Sequence, residues 1–427
     1  MFAAAARTPS LIVNPLMGED CLSTLSCLRG LGVHIALPPS QGGSTPGTGG
    51  RKVDALSRTA LPASRDSLLR EEGEQVEVTP AAWSTPSAEL DCGNSGTTMR
   101  LLSGLIASRP IVATMVGDHS LSKRPMKRIA EPLRLMGAGI DGDYPPLKIT
   151  GGELRGIDYT TPVASAQIKS CVLLAGLRAK GQTTVTEPSL SRDHTERMLS
   201  ALGVKVQRVG LTAGVEGGAE WDGFEFRVPG DISSAAFFMV LAALHEGSEI
   251  TLDHVGVNPS RTGIVDVFEQ VGVPTDLSPK PDEMGEPVAD ITVRGGGRKP
   301  FEIGGAMVPR LIDEIPVLAV LATQLEGTSV IKDAQELRVK ETDRIKVVCD
   351  GLRAMGANIE PTDDGMVIHG PTPLMGATID ASGDHRIGMS FAIAGTIASG
   401  ETTILNAESI ATSYPQFVSD MERVSNV

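Results

Sequence analysis

Five stretches of the chain are apolar around almost the whole circumference of a helix, and a helix of that kind is buried in a globular protein. Each stretch is followed by a short segment rich in Thr, Val and Ile, such as "GQTTVTE" or "GTSVIKD", which is typical of a strand. The pattern therefore predicts five buried helices, each leading into a strand. The helical stretches are "GNSGTTMRLLSGLIA" (93–107), "SAQIKSCVLLAGL" (165–177), "GDISSAAFFMVLAAL" (230–244), "IDEIPVLAVLATQL" (312–325) and "GDHRIGMSFAIAGTI" (383–397).

A second, amphipathic helix follows the strand in the first four of these units. Examples are "SRDHTERMLSALGV" (191–204) and "RVKETDRIKVVCDGLRAMGA" (338–357). Each leads through a glycine to a further strand, such as "VKVQRV". The fifth unit ends in the shorter helix "YPQFVSDMERV". The order helix, strand, amphipathic helix, strand thus recurs with a period of roughly 65 to 80 residues, which indicates an internal repeat.

The segment "LIVNPLMGEDCLSTLSCLRGLGV" (11–33) matches only the second half of such a unit. It predicts a strand, an acidic loop and a helix that ends at Gly32, with no buried helix before them. Counting this half-unit, three repeats precede "FRVPGDISS", where proline and glycine interrupt the chain, and three follow. We therefore expect an α/β fold of two similar domains with a cleft between them. Residues 1–228 would hold repeats one to three, the first incomplete, and residues 229–427 repeats four to six.

Residues 38–75 fit none of the repeats. This segment is rich in Gly, Ser, Pro and charged residues, and it has little apolar surface to bury. We expect a mobile surface loop here, and nothing in its sequence supports a role in binding a partner.

Composition excludes several classes of function. The 427 residues carry a formal net charge of -14, which argues against nucleic acid or an anionic membrane as the main partner. The five cysteines are scattered and show no metal-ligand spacing, so we expect reduced thiols and no metal. No stretch reaches the roughly 18 apolar residues of a membrane span, and the first residues lack a secretory pattern. We expect a soluble, cytoplasmic protein.

Short basic clusters lie in the loops between the predicted elements. Arginine binds phosphate and carboxylate oxygens through paired hydrogen bonds, and helix N-termini attract the same anions. Taken singly, each cluster is more often a solvated loop or a helix cap, but their recurrence at equivalent loops favours a basic site for small, multiply charged substrates. The residues concerned are Arg124, Arg192, Lys340, Arg344 and Arg386.

Two carboxylates stand out beside these clusters. Asp313 opens the apolar run "EIPVLAVLA", where a negative charge is favoured at the helix N-terminus and could act as a base. Glu341 follows Lys340 and lies three residues before Arg344, a setting for proton transfer next to bound anions. The alternatives are an N-cap for Asp313 and a helix ion pair for Glu341, and the residues alone do not decide between these and catalysis.

Eight motifs resemble the signatures of the 5-enolpyruvylshikimate-3-phosphate synthase family. They occur in order between residues 90 and 415: "LDCGNSGTTMRLL", "LSKRPM", "SAQIKSCVLLAGL", "RDHTERML", "VPGDISSAAFF", "IDEIPVLAV", "LRVKETDRI" and "DHRIGMSFAIAG". The resemblance implies the enolpyruvyl transferase fold, two domains of three βαβαββ repeats. It also implies transfer of the enolpyruvyl group of phosphoenolpyruvate to the 5-hydroxyl of shikimate 3-phosphate, through a tetrahedral intermediate that expels phosphate. No metal or cofactor is implied, and we expect a monomer.

The resemblance also implies roles for individual residues. Those that would hold phosphoenolpyruvate are Arg124, Arg344 and Arg386, with Gln167 and the backbone at Gly96 beside it. Those that would hold shikimate 3-phosphate are Ser165, Ala166, Gln167 and Arg192, with Asn94 and Thr97 lining the cleft. Asp313 matches the family's base at the 5-hydroxyl, Lys340 the lysine near it, and Glu341 the acid that protonates the methylene carbon.

The sequence departs from the family pattern near both ends. Family members begin with a strand and the motif PGDKSISHR, whose lysine, serine and arginine touch both substrates. No such motif precedes residue 11, and the related "VPGDISSAAFF" has Ile232 in place of the lysine. An inactive or impaired homologue is therefore an alternative to an active enzyme. Near the C-terminus, Thr412 in "IATSYPQF" replaces a lysine, a pattern closer to the class II branch.

A sister family with the same fold and donor, the UDP-N-acetylglucosamine enolpyruvyl transferases, is the nearest rival. Its members usually carry a reactive cysteine in the loop before the position of Arg124. Here that loop reads "GDHSLSKRP", with His119 at about that place. The absence of a cysteine in this loop disfavours the rival activity.

Overall fold

The computed structural model describes residues 1–37 and 74–425. Within these residues the chain forms two compact units, called unit 1 and unit 2 below. Unit 1 comprises residues 1–37, 74–228 and 282–286, and unit 2 comprises residues 229–281 and 287–425.

Unit 1 combines short strands with helices. Its strands are β1 (Ser10–Val13), β2 (His34–Ala36), β3 (Gln75–Thr79), β4 (Leu90–Asp91), β5 (Val112–Val116), β6 (Gly139–Asp141), β7 (Leu147–Thr150), β8 (Asp158–Thr160), β9 (Gln182–Thr186), β10 (Val206–Val209), β11 (Thr212–Glu216) and β12 (Glu225–Arg227). Its helices are α1 (Phe2–Ala5), α2 (Glu19–Gly30), α3 (Gly96–Ala107), α4 (Lys127–Met136), α5 (Ala166–Gly176) and α6 (His194–Ala201).

The second half of the chain also combines strands with helices. Its strands are β13 (Glu249–Gly256), β14 (Thr275–Glu283), β15 (Glu286–Arg294), β16 (Glu302–Ile303), β17 (Gly327–Ile331), β18 (Asn358–Pro361), β19 (Met366–Gly370), β20 (Thr378–Asp380) and β21 (Thr403–Leu405). Its helices are α7 (Ile232–Leu244), α8 (Gly263–Val271), α9 (Val308–Leu311), α10 (Ile315–Ala322), α11 (Arg344–Ala354), α12 (His385–Ile397) and α13 (Phe417–Ser425).

Four of the sheets share one arrangement, with a parallel pair followed by two antiparallel pairs. Their strand orders are β12-β1-β3-β2, β4-β5-β7-β6 and β8-β9-β11-β10 in unit 1, and β16-β17-β19-β18 in unit 2. The remaining described strands form the sheet β13-β15-β14 and the parallel pair β20-β21. A strand order that recurs in this way is what an internal repeat of the sequence produces.

The apolar helices form the core of each unit. In unit 2, every residue of α10 is buried, and α10 contacts both α7 and α12. In unit 1, α3 packs against α5 so closely that a β-carbon on Gly104 would lie 2.2 Å from the carbonyl oxygen of Cys171. Only glycine permits this approach of two backbones. Burial of these helices fixes their N-terminal turns, where the candidate site residues lie.

The predicted order of elements is confirmed in its main features. The five apolar stretches form α3, α5, α7, α10 and α12, and the segment after each forms a strand. The described chain contains no helix long and apolar enough to cross a membrane. The predicted cleft between two domains stays a prediction.

Three details of the prediction need correction. The helix expected to end at Gly32 ends at Gly30, and Gly32 follows it with a φ of +95°. A single helical turn, α1, precedes β1 where no helix was expected, and Ala3 and Ala4 of this turn are buried in the core. The loop predicted at residues 38–75 lies outside the described residues up to residue 73, and Gln75 already belongs to β3.

Candidate active site

In unit 1, two guanidinium groups lie over the first turn of α3. Ser95 caps this helix by accepting a hydrogen bond from the Thr98 backbone N–H at 3.2 Å. A β-carbon on Gly96 would lie 2.9 Å from Arg100 Nη1 and 3.6 Å from Arg124 Nη1. The unpaired N–H groups of a helix N-terminus and two cations together favour a phosphate or carboxylate at this place.

Arg124 is fixed by the loop that precedes α3 and by its own loop. Its Nη2 donates to Asn94 Oδ1 at 2.9 Å and to Ser120 Oγ at 3.2 Å. Asn94 in turn donates from Nδ2 to Asp118 Oδ2 at 2.7 Å, and Asp118 Oδ1 accepts from the Leu121 N–H. This chain of hydrogen bonds orients both Arg124 and Asn94.

Gln167, in the first turn of α5, connects the two helices of this region. Its Oε1 accepts from Arg100 Nη1 at 2.6 Å, and its Nε2 donates to Thr97 Oγ1 at 2.9 Å. Ser165 is the N-cap residue of α5, but its side chain makes no capping hydrogen bond. The N-terminal turns of α3 and α5 are therefore linked through polar side chains.

The structure brings most of the predicted binding residues of unit 1 together. Asn94, Gly96, Thr97, Arg124 and Gln167 belong to the network just described. Ser165 and Ala166 lie at the start of α5, and Arg192 is half-buried in the segment between β9 and α6.

Arg100 and Asp118 also belong to this region, although neither was among the predicted residues. Arg100 lies three residues after Thr97 on α3, and residues at this spacing face the same side of a helix. That spacing could have identified Arg100 once Thr97 was chosen. Asp118 offers no comparable signal, because its role depends on the loop that brings it to Asn94.

In unit 2, Asp313 lies in a turn between α9 and α10 and is not an N-cap. The N-cap of α10 is the next residue, Glu314. Asp313 Oδ1 instead faces three cationic groups: Arg344 Nη1 at 3.3 Å, Lys340 Nζ at 3.4 Å and Arg386 Nε at 4.0 Å. The N-cap alternative is therefore wrong, and Asp313 is held by cations.

Arg344 is the centre of this arrangement. Its Nη2 lies 2.6 Å from Glu341 Oε2 and its Nε 2.8 Å from Asp384 Oδ2, while Nη1 faces Asp313. We call Arg344, Asp313, Glu341 and Asp384 the Arg344 cluster. The ion pair that was considered as an alternative role for Glu341 is present, but Glu341 precedes α11, and only Arg344 belongs to the helix.

The members of the Arg344 cluster differ in their exposure. The side chains of Arg344 and Asp384 are 2% and 0% exposed, whereas those of Asp313 and Glu341 are 13% and 24% exposed. Two accessible carboxylates are thus held on one buried guanidinium. This is a geometry that suits proton transfer to or from a bound molecule.

The charge states of the buried members follow from their neighbours. Burial alone would lower the pKa of Arg344, but Asp384 and Glu341 outweigh it and raise that pKa well above its ordinary value. Burial would raise the pKa of Asp384, but Arg344 outweighs it and lowers that pKa. Burial and Arg386 lower the pKa of His385 to about 4, so its imidazole is neutral at pH 7.

Asp384 and a second polar network at the start of α7 were not among the predicted features. Asp384 directly precedes His385 in the motif that holds Arg386, and it caps α12 by accepting from the Arg386 N–H at 3.0 Å. At α7, Arg261 donates to Asp231 at 2.8 Å and to Ser233 at 2.6 Å. Side chains of unit 2 itself therefore bond the polar residues of "VPGDISS".

Glu314 completes this second network. It accepts a hydrogen bond from Ser233, and burial raises its pKa, an effect that Arg261 opposes. Ile232, at the position of the family's lysine, is buried. Across residues 1–37 and 74–425, no group of three or more His, Cys, Asp or Glu side chains is placed to hold a metal ion.

Comparison with known proteins supports one family. The sequence pattern of the family described as EPSP synthase (3-phosphoshikimate 1-carboxyvinyltransferase) matches residues 62–421. The 3-phosphoshikimate 1-carboxyvinyltransferase of Bacillus cereus is 48% identical over 429 residues, an alignment that spans 100% of this chain and 93% of the relative. The chain belongs to the EPSP synthase family.

Further relatives agree with this assignment. The 3-phosphoshikimate 1-carboxyvinyltransferase of Bacillus licheniformis is 49% identical over 430 residues, again across 100% of this chain and 93% of the relative. A solved structure of EPSP synthase from Acinetobacter baumannii is 43% identical, with a TM-score of 0.84 over 100% of this chain and 92% of that chain. The expected enolpyruvyl transferase fold is therefore confirmed.

Membership of this family, together with the full-length relatives, confirms the predicted reaction. The chain is a 3-phosphoshikimate 1-carboxyvinyltransferase of the shikimate pathway, which leads to the aromatic amino acids. Its substrates are phosphoenolpyruvate and shikimate 3-phosphate.

Proposed function

We propose that residues of both groups bind the substrates of EPSP synthase, and that the Arg344 cluster supplies proton transfer. The single observation that carries this proposal is the attachment of two partly exposed carboxylates, Asp313 and Glu341, to the same buried Arg344. One carboxylate can then accept a proton while the other donates one.

Asp313 is the proposed base. The 5-hydroxyl oxygen of shikimate 3-phosphate forms a bond to C2 of phosphoenolpyruvate, and the hydroxyl proton passes to Asp313. The three cationic groups around its Oδ1 hold the carboxylate in one orientation. Such positioning lowers the entropic part of the barrier.

Glu341 is the proposed acid. It donates a proton to C3 of phosphoenolpyruvate, which turns the methylene into a methyl group and makes C2 electrophilic. Arg344 Nη2, 2.6 Å from Glu341, stabilises the carboxylate that remains after the proton has left. In the second step the C2–O bond to phosphate breaks, and the phosphate takes up the proton held by Asp313. The methyl group returns a proton to the Glu341 carboxylate, which gives the enol ether.

The cationic groups have two proposed roles. Gln167 and the backbone at Gly96 lie beside phosphoenolpyruvate, and Asn94 and Thr97 lie beside shikimate 3-phosphate. Ser165, Ala166 and Arg192 hold shikimate 3-phosphate. Arg124, Arg344 and Arg386 hold phosphoenolpyruvate and balance the charge of phosphate as it leaves, and Lys340 lies beside the base Asp313.

The release of phosphate from phosphoenolpyruvate tests this proposal. We expect release that depends on shikimate 3-phosphate, and we expect Glu341→Gln to reduce kcat by about 10²- to 10⁴-fold, the usual contribution of a general acid. The matched control is Glu336→Gln, the same change at an exposed position five residues earlier. A Glu341→Gln variant with the kcat of the wild type would remove Glu341 from the mechanism.

We further propose that the enzyme is a monomer of the cytoplasm and belongs to the class II-like branch. The five cysteines are all free thiols, which fits a reducing compartment. Thr412 replaces the family's lysine, a pattern closer to the class II branch. Sedimentation equilibrium tests the monomeric state, since a mass of two chains would contradict it.

Glyphosate titration at fixed phosphoenolpyruvate tests the assignment to the class II-like branch. Gly96 is typical of glyphosate-sensitive members of the family, whereas Leu101 stands where some members have proline. The same titration therefore also measures how strongly glyphosate inhibits this enzyme.

A further inference from the structure

Three charged side chains lie buried together in unit 1, apart from the residues assigned to the reaction above. Lys169 Nζ is 2.8 Å from Glu187 Oε2 and 2.9 Å from Glu196 Oε1. All three side chains are less than 5% exposed. We call these residues the Lys169 cluster.

The Lys169 cluster joins the elements that carry the proposed shikimate 3-phosphate residues. Lys169 lies on α5, one turn after Ser165, and Glu196 lies on α6, which follows Arg192. Glu187 directly follows β9, at the beginning of the segment that contains Arg192. Charged groups at this junction can therefore set the position of both substrate-binding segments.

Glu187 contacts both segments directly. Its Oε1 accepts a hydrogen bond from the backbone N–H of Ser165 at 3.0 Å, and its Oε2 accepts one from the Ser191 hydroxyl at 2.9 Å. Ser191 is the neighbour of Arg192. One carboxylate thus fixes the N-cap of α5 and the residue next to the proposed phosphate-binding arginine.

The two serine N-caps of unit 1, Ser95 and Ser165, are held in different ways. Ser95 uses its own hydroxyl to cap α3 and is buried. Ser165 makes no such capping bond and is half-buried, and its backbone is held by Glu187 instead. Glu187 therefore orients Ser165 while leaving the serine hydroxyl outside the capping interaction, as a ligand-binding side chain requires.

Stabilisation of the fold alone does not account well for the Lys169 cluster. It places two carboxylates on one ammonium, and Glu196 Oε2 is buried with no hydrogen-bond partner among the described residues. Buried ion pairs of this kind often stabilise a protein no more than apolar side chains of the same size, although they can enforce one arrangement of the chain. A role in positioning explains the cluster better.

We propose that Glu187, held in place by Lys169, is a positioning residue for shikimate 3-phosphate. It does not touch the substrate, and it acts through Ser165 and Arg192. This inference rests on the proposed function, because it takes these two residues as part of the shikimate 3-phosphate site.

The test measures the Kd of shikimate 3-phosphate by calorimetry with the full chain, together with steady-state kinetics. In Glu187→Gln the amide oxygen can still accept from Ser165, but the attraction to Lys169 is lost. We expect the Kd and the KM of shikimate 3-phosphate to rise about tenfold, the effect of one charge-assisted hydrogen bond. At saturating shikimate 3-phosphate we expect kcat and the KM of phosphoenolpyruvate to stay within about threefold of the wild type, since the reacting groups are untouched.

A second variant and a control keep the test interpretable. Ser191→Ala removes one hydrogen bond to Glu187 without uncovering a buried charge, and we expect its Kd to rise about threefold. The control is Glu153→Gln, which breaks the exposed pair of Glu153 with Lys180 in the same unit. This control should leave both Kd and Tm unchanged.

The outcomes separate this inference from the proposed function. If Ser165→Ala and Arg192→Ala weaken shikimate 3-phosphate binding but Glu187→Gln and Ser191→Ala do not, the positioning role is wrong and the proposed site stands. If Ser165→Ala and Arg192→Ala have no effect on binding, the proposed site itself is wrong. A lower Tm of Glu187→Gln with an unchanged Kd would mean a purely structural role and would also overturn the inference.

Discussion

The Lys169 cluster and the Arg344 cluster are built from the same parts but differ in their access to solvent. Each surrounds one buried cation with carboxylates at hydrogen-bonding distance. In the Lys169 cluster all the side chains are less than 5% exposed, and Glu187 bonds a backbone N–H and a hydroxyl. In the Arg344 cluster Asp313 and Glu341 are 13% and 24% exposed.

This difference shows how similar ion pairs can serve different purposes. A general acid or base must come within hydrogen-bonding distance of the atom that gains or loses the proton. A carboxylate that is fully buried cannot reach a substrate atom in this way, and it can act only by holding other groups in place. We therefore expect substitutions in the Arg344 cluster to affect kcat, and substitutions in the Lys169 cluster to affect stability and the binding of shikimate 3-phosphate.

The largest expected effect is that of Asp313→Asn on catalysis. The amide cannot accept the proton of the 5-hydroxyl, so kcat should fall by about 10²- to 10⁴-fold. The Kd of shikimate 3-phosphate, measured by calorimetry, should change little. Asp276→Asn, an exposed position on β14, is the control. Normal turnover in Asp313→Asn would remove the distinction between the two clusters.

Lys169→Met should affect folding more than chemistry. It leaves Glu187 and Glu196 facing each other without a cation, and breaking a buried pair in this way costs about 3–5 kcal/mol of unfolding free energy. Urea denaturation measures this loss. Adding Glu187→Gln and Glu196→Gln should recover part of it, because the stranded charges are removed. If the single variant is as stable as the wild type, the cluster carries no buried charge.

The neutral His385 beside the Arg344 cluster predicts a loss of stability in acid. Its pKa is about 4 in the folded chain and about 6.5 when unfolded. Between these values the unfolded state binds a proton that the folded state does not. The part of the unfolding free energy that depends on neutral His385 is therefore fully present above pH 6.5 and decreases as the pH falls towards 4. The largest loss of unfolding free energy from this group is about 3 kcal/mol.

Comparison with His385→Gln isolates this contribution. The variant lacks the titrating group, so its Tm should fall less than that of the wild type between pH 7 and pH 4.5. His34→Gln, an exposed position on β2, should follow the wild type. Parallel curves for the wild type and His385→Gln would show that His385 is protonated as easily in the folded chain as in the unfolded one.

The smallest effect is expected from Thr342→Val. Thr342 Oγ1 donates to Asp384 Oδ2 at 3.2 Å, and Arg344 continues to hold Asp384 in the variant. We expect a loss of about 1 kcal/mol in unfolding free energy, the usual value of one hydrogen bond. A loss of several kcal/mol would mean that Asp384 depends on Thr342 more than on Arg344.

The fold was largely predictable from the sequence because burial and periodicity determine it. The apolar runs that form α7 and α10 can be stable only inside a core, and the strands that follow them carry strong β-forming residues. Helix ends were less predictable. An N-cap role for Asp313 was one of two alternatives, but the turn after α9 places Glu314 at the N-cap of α10, and propensity cannot distinguish two adjacent acidic residues.

The candidate site was predictable where its residues lie in motifs. Arg344 and Glu341 are close in sequence, so their ion pair follows from spacing. The partner Asp384 lies 40 residues further along the chain, and Glu187 lies 22 residues from Ser165. Contacts at such separations depend on tertiary packing, and no local pattern of residues indicates them.

The uptake of deuterium from D₂O into the enol ether product tests the division between the two clusters most directly. If Glu341 protonates C3, solvent deuterium enters the methyl group of the intermediate and remains in part of the product. We predict this uptake in the wild type and, at saturating shikimate 3-phosphate, in Glu187→Gln. In Glu341→Gln the uptake should be slower by about 10²-fold or more, with the Kd of shikimate 3-phosphate preserved. Uptake at the wild-type rate in Glu341→Gln, or its loss in Glu187→Gln, would contradict the account.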